Sequence, residues 1–170
     1  LEQSPLQRAL ARAPERLVAR TTRPDEEYFL FRVGDLRVGV ASHLVREVTR
    51  MGPLTPVPRS PSFLLGVVGH RGEVIPVVDM LRFLERGEAR VLPRGRLLIS
   101  AQGDVVAGVL AEQVMGLRRI LLADKLPPPG GLGDAAQFIT GVVQTRDLGT
   151  VNLLDLERVV QGARRKAVAR

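Results

Sequence analysis

Apolar and polar positions alternate with a period of two over much of the chain, the pattern of strands buried on one face. YFLFRV (28–33) and LRVGVA (36–41) flank Gly34-Asp35, and RLLISA (96–101) and VVAGVL (105–110) flank Gln102-Gly103-Asp104. Each pair reads as a β-hairpin around a tight polar tip. A mixed segment follows each hairpin, SHLVREVTR (42–50) and EQVMGLRRI (112–120), and then a Pro-rich connector, GPLTPVPRSP (52–61) and KLPPPGGLG (125–133). The run PPPGG excludes helix or central strand there. A second hairpin comes next, GVV-GHRGE-VIPVV (66–78) and GVV-turn-TVNLL (141–154). Pro76 interrupts its strand pattern and predicts an edge or a bulge at that point. Both second hairpins end in aspartate followed by a turn or two of amphipathic helix, DMLRFLE (79–85) and DLERVVQ (155–161).

The order of these pieces is a repeat. Gly34-Asp35 falls on Gly103-Asp104, Gly39 on Gly108, Val45 on Val114 and Arg50 on Arg119. Further on, Phe63 falls on Phe138, Gly66-Val67-Val68 on Gly141-Val142-Val143, and Asp79 on Asp155. One unit of five short strands and a terminal helix therefore occurs twice. A unit this small buries too little surface alone, and small antiparallel sheets protect their edges by closing. The predicted fold is mostly β, two small five-stranded barrels side by side with short helices. The first barrel is expected over about 25–90 and the second over about 91–160.

Composition narrows the function. The chain has 170 residues, 45% of them hydrophobic, which suits one compact domain or two very small ones sharing a core. Cysteine is absent and histidine occurs twice, which excludes disulfides, a cysteine nucleophile and a multi-histidine metal site. No cofactor is expected. The longest apolar runs fall well short of a membrane span, so no membrane insertion is expected. No signal-peptide pattern opens the chain, and the expected location is the cytoplasm. The net charge of +7 points first to nucleic acid. Its distribution points elsewhere. Residues 1–24 carry Arg8, Arg12, Arg16, Arg20 and Arg23 against Glu2 and Glu15, and 161–170 carry Arg164, Arg165, Lys166 and Arg170. Residues 25–160 hold equal numbers of basic and acidic side chains. With a neutral body and only 4% aromatic residues, no specific nucleic acid is expected as a partner. The ends read as a basic N-terminal extension (1–24) and a basic C-terminal tail (161–170), both dispensable for folding.

Candidate chemistry is sparse. Asp79 and Asp155 could be paired carboxylates, but each stands where a strand gives way to a helix, and an N-cap aspartate explains both. The repeat also puts them in different barrels. Ser42-His43 lacks an orienting third group, and Ser42 is expected to cap the turn that follows it. His70 is expected to be solvated at its hairpin tip. The Gly-rich PPPGGLG lacks the residues of a phosphate loop. Glu47, between apolar neighbours, and Arg71, in a Gly-bounded tip, remain as either two unrelated solvated charges or a functional pair. No catalytic residue is assigned, and the chain is not expected to be an enzyme.

The hairpin around Gly-Asp, VREV (45–48), the Pro-rich connector and FLLGVVGHRGEVIPVVD (63–79) together resemble the CheW-like domain of bacterial chemotaxis, over about Glu27 to Val160. The resemblance implies a pair of SH3-like barrels and a non-catalytic adaptor. Its implied partners are the cytoplasmic tip of a chemoreceptor and the regulatory domain of the histidine kinase CheA, itself CheW-like. The implied partner-binding positions are Val45, Glu47, Gly66, Arg71, Gly72 and Gly108, with Glu47 and Arg71 within ion-pair reach at the edge of the groove between barrels. The sequence departs from the family at Gly69-His70, where asparagine and leucine are common, and at Ala111-Glu112, where an aspartate often follows the hairpin. Three alternatives stay open: a CheW-like module excised from a larger kinase or adaptor, a basic-tailed SH3-like protein that binds nucleic acid, and a hydrolase using Ser42, His43 and an aspartate. The amphipathic stretch LQRALARAPERLVAR (6–20) favours a free-standing adaptor.

Overall fold

The computed structural model of the protein describes residues 24–169; all of the expected N-terminal extension but Pro24 lies outside them. The alternating segments form ten strands: β1 Asp25–Val33, β2 Leu36–Ala41, β3 Glu47–Arg50, β4 Leu64–His70, β5 Glu73–Val78, β6 Arg96–Gln102, β7 Val105–Ala111, β8 Gln113–Leu121, β9 Ile139–Thr145 and β10 Gly149–Leu154. Two α-helices follow the second hairpins, α1 at Met80–Phe83 and α2 at Leu156–Val168. Each repeat thus supplies five strands and a closing helix. The strands make two five-stranded sheets, ordered β8-β1-β2-β10-β9 and β3-β6-β7-β5-β4. Both curl toward closure.

These orders correct the expected division at about residue 90. Neither barrel is a contiguous half of the chain. The first hairpin of each repeat leaves its own unit and completes the sheet of the other. β1 pairs with β8 and β2 with β10, while β6 pairs with β3 and β7 with β5. The repeat maps one sheet order onto the other strand for strand. The exchange is made where β2 meets β10 and β7 meets β5, and these two pairings are parallel. Alternation identifies a hairpin but not the sheet edge that receives it, because either edge would bury the same face.

Three apolar clusters result. Tyr28, Leu30, Ile120, Val151 and Leu153 fill the first barrel, and Val68, Ile75, Val77, Leu97, Ile99 and Leu110 fill the second. Between them lies a larger cluster that includes Phe31, Val33, Phe63, Phe83, Phe138 and Val159. β1 serves two of the three. Its two faces part by simple alternation: Tyr28 and Leu30 enter the barrel interior, Phe31 and Val33 face the central layer, and the bulge in its pairing with β8 falls at Met115. Phe83 stands edge-on to both Phe63 and Phe138, with ring centroids 5.4 and 4.9 Å away. Pro76 sits beyond the two-residue pairing of β5 with β7, so its missing N–H leaves no ladder gap.

Both helices start as the sequence predicts. The Asp79 carboxylate accepts from the Leu81 and Arg82 amides, and that of Asp155 from the Arg158 amide. The C-terminal boundary is different. Helix α2 does not stop near Val160; it runs to Val168, with Gly162 and Ala163 buried. A Cβ at Gly162 would stand 3.0 Å from the Phe138 and Phe83 rings, so the helix backbone lies directly on the central aromatics. Lys166 places its ammonium 4.6 Å from the centre of the Phe83 ring. The expected tail 161–170 is therefore largely structural. Arg164, Arg165 and Lys166 are exposed on a helix whose inner face is core.

Candidate functional site

β3 and β4 are the terminal strands of the second sheet, and side chains join them where the barrel closes. Glu47 opens β3, His70 closes β4, Arg71-Gly72 form the two-residue turn, and Glu73 opens β5 opposite His70. A two-residue hairpin turn of this kind needs both central residues in the left-handed region, and Arg71 (φ 49°) and Gly72 (φ 79°) adopt it. Glycine does so freely. Arginine there costs about 1 kcal/mol that asparagine or glycine would largely avoid.

Glu47 holds the tip. Its Oε2 stands 3.0 Å from His70 Nε2, and its Oε1 lies 3.1 Å from Arg71 Nη2 in an ion pair. The His70 hydrogen bond is the main influence lowering the Glu47 pKa; partial burial opposes it, and the Arg71, His70 and Arg46 charges reinforce it. Beside this group Arg46 Nη2 donates to Glu73 at 2.6 Å. Arg46, Glu47, His70, Arg71 and Glu73 line a shallow polar depression of about 510 Å³. The Arg71 side chain is 77% exposed, against 25% for Glu47. A half-buried carboxylate thus steers a guanidinium that solvent and partners can reach.

The first barrel closes in the same way with the signs reversed. Arg118 on β8 makes a bidentate pair with Asp147 in the β9–β10 turn, both bonds 2.7 Å. That pairing lowers the Asp147 carboxyl to about 2 against the opposing effect of burial, aided by its own and the Leu148 amides and the Arg118 charge. Both barrels therefore lock their third strand to their last hairpin tip with an ion pair.

The expected Glu47–Arg71 pair forms, and both partners belong to one barrel. Gly72 shares their turn. The other implied positions do not join them on the surface. Val45, half-buried between a 3-10 turn (Ser42–Leu44) and β3, packs against the central cluster. Gly66 is buried, and a Cβ there would overlap the Thr55 carbonyl where the connector bridges to β4. Gly108 is buried too, with the Leu97 side chain in the space a Cβ would need. Packing accounts for both glycines.

His70 is corrected from a solvated residue to a sheltered one, its side chain 17% exposed against Glu47. Ser42 is corrected as well: its hydroxyl donates to Glu27 Oε1 at 2.9 Å and caps nothing. His43 is exposed, with its nearest carboxylate, Glu26, 3.9 Å away. Sequence reasoning missed Arg46, His70 and Glu73. The only local signal was their clustering around one tip and the strand facing it, which alternation alone cannot pair. Replacing Arg71 with alanine is expected to leave the melting temperature nearly unchanged, since it removes an exposed pair and relieves no burial. A thermal melt checks this, and a large drop would make the turn a structural element.

A family description, the CheW-like domain, matches residues 27–164. Protein FrzA of Myxococcus xanthus is 56% identical over 159 residues, covering 93% of this chain and 99% of that protein. Chemotaxis protein CheW of Rhizobium meliloti is 29% identical over 146 residues, covering 86% of this chain and 94% of its own. Among solved structures, the scaffolding protein TtCheW from Thermoanaerobacter tengcongensis superposes with a TM-score of 0.70 at 24% identity, over 82% of this chain and 90% of that one. That last likeness concerns the double-barrel fold.

Proposed function

The chain belongs to the CheW-like domain family, and from that premise we propose that it is a non-catalytic adaptor of bacterial chemosensory signalling, coupling chemoreceptors to the histidine kinase CheA. The observation that carries this reading is the likeness to FrzA and CheW along both barrels and nearly the whole length of each protein. Its finer partners are the receptor's cytoplasmic tip and the CheA regulatory domain, and its site of action is the cytoplasm. Among the described residues no helix is long and apolar enough to cross a membrane. The Ser42 hydroxyl is engaged by Glu27, and Asp79 and Asp155 each accept helix amides, which leaves these groups structural work rather than turnover.

The β4–β5 tip is the contact we assign to a partner. Arg71 is exposed, held in an unfavourable backbone region and oriented by a carboxylate. Arginine in such a setting joins an apolar stem to a planar set of donors, the combination common at binding hot spots. The functional test mixes the purified chain with receptor tip and CheA and measures kinase activity; no change on adding the chain would overturn the adaptor reading. In binding isotherms with the CheA regulatory domain and the receptor tip, Arg71→Glu is expected to weaken at least one interaction by about fivefold or more. Ser42→Ala should bind like the parent. Equal binding by both variants would leave the tip a purely structural turn.

A further inference from the structure

We propose that His70 is a pH-responsive latch that sets whether the Arg71 guanidinium is tied to Glu47 or released toward an anionic surface of a partner protein. The inference rests on the reading of this tip as a partner contact and adds a regulator to it.

One carboxylate here serves two nitrogen donors on opposite oxygens, His70 at 3.0 Å and Arg71 at 3.1 Å. The two donors are unequal. His70 is the sheltered one, 17% exposed, and Arg71 the open one, 77% exposed. Glu47 is held below its ordinary range, so it stays ionised through neutral pH. Among side chains, imidazole is the one whose charge ordinarily changes between about pH 5 and 8. The charged groups facing it are Glu47 from β3 and Arg46 just before that strand, Arg71 from the turn and Glu73 from β5. Arg46 and Glu73 already satisfy each other at 2.6 Å.

With His70 neutral, the two arginines and two glutamates of the depression cancel. Glu47 then has one neutral hydrogen bond, from the imidazole, and depends on Arg71 for its counter-charge. Protonation changes both facts. The cluster gains one positive charge, and Glu47 acquires an ionic partner in the less solvated position, where a charge-assisted bond is stronger. Arg71, competing from the exposed side, is the partner that loosens. A freed guanidinium and a net positive tip both favour an acidic partner surface as pH falls. His70 acts through Glu47 and Arg71, which makes it a positioning residue.

The experiment uses the full chain, isotopically labelled, and follows the His70 ring and the Arg71 side-chain Nε–H by NMR from about pH 8 to about pH 6. The expected result is one shared titration at His70 and Arg71 that disappears from Arg71 in His70→Gln and persists in His43→Gln. Isotherms with the CheA regulatory domain are expected to tighten roughly threefold over the same range in the parent, and not in His70→Gln. An Arg71 signal that ignores His70 titration overturns the latch. So does an equal pH dependence of binding in His70→Gln. If Arg71 follows His70 but the regulatory domain binds at neither pH, the latch stands and the partner assignment of the tip fails.

Discussion

Glu112→Ala is expected to destabilise the protein by about 3 kcal/mol, the cost of orphaning a buried, multiply bonded charge site. Glu112 lies where the chain passes from β7 to β8, and it is fully buried. Its Oε1 accepts the Arg90 amide at 2.8 Å and its Oε2 accepts Arg32 Nη1 at 3.0 Å. Its own amide donates to the Arg32 carbonyl at 3.0 Å. One side chain therefore ties the β1–β2 hairpin to the segment that joins the two repeats. Asp79, also fully buried, holds the neighbouring Ala89 amide at 2.9 Å, so two carboxylates clamp that segment side by side.

The pH dependence of this contribution has a defined sign. Burial by itself would raise the Glu112 carboxyl; the Arg90 and Gly34 amides and the Arg32 and Arg90 charges outweigh it and hold the group below its ordinary value of 4.5. A carboxyl lowered by folding stabilises the protein fully above that ordinary value and loses the contribution as pH falls through the folded value. Urea denaturation of the parent and Glu112→Gln should thus differ most near neutral pH and converge in acid. A parent-like midpoint for Glu112→Ala at neutral pH would show that the clamp carries no net stability.

Deleting 161–170 is expected to cost about 2–3 kcal/mol, since it strips packing from the central aromatics and leaves too short a helix to hold itself. The deletion uncovers Phe83 and Phe138 where Gly162 and Ala163 lie against them. It also removes Lys166 from the Phe83 ring. What remains of α2 is five residues, Leu156 to Val160, of which Leu156, Val159 and Val160 are buried. Chemical denaturation of the truncated chain measures the effect. An unchanged midpoint would restore the dispensable tail that charge counting suggested.

That disagreement shows where local reading stops. Four cationic residues in the last ten suggested a solvated end, while the structure exposes Arg164, Arg165 and Lys166 on a helix that buries Gly162 and Ala163 on its other side. Small residues make close packing possible but carry almost no hydropathy signal. Glu112 was legible only as a departure from a family pattern. Its burial depends on Arg32 and Arg90, brought to it from distant segments. His70 was read as solvated because its partner, Glu47, is on another strand.

By itself the sequence determined the local elements and their duplication. Strand alternation, Gly-bounded tips and N-cap aspartates act over a few residues, and their energetics do not depend on what lies across the fold. The ten strands and the two capped helices followed from such signals, whereas the Glu47–Arg71 pair was expected only from the family resemblance. Only the tertiary structure decided that each first hairpin completes the opposite barrel, that two buried carboxylates clamp the joining segment, and that His70 shares Glu47 with Arg71. The reason is that a period-two pattern specifies a buried face without naming its neighbour. Pairing, burial of charge and shared hydrogen bonds arise only when residues far apart in sequence meet.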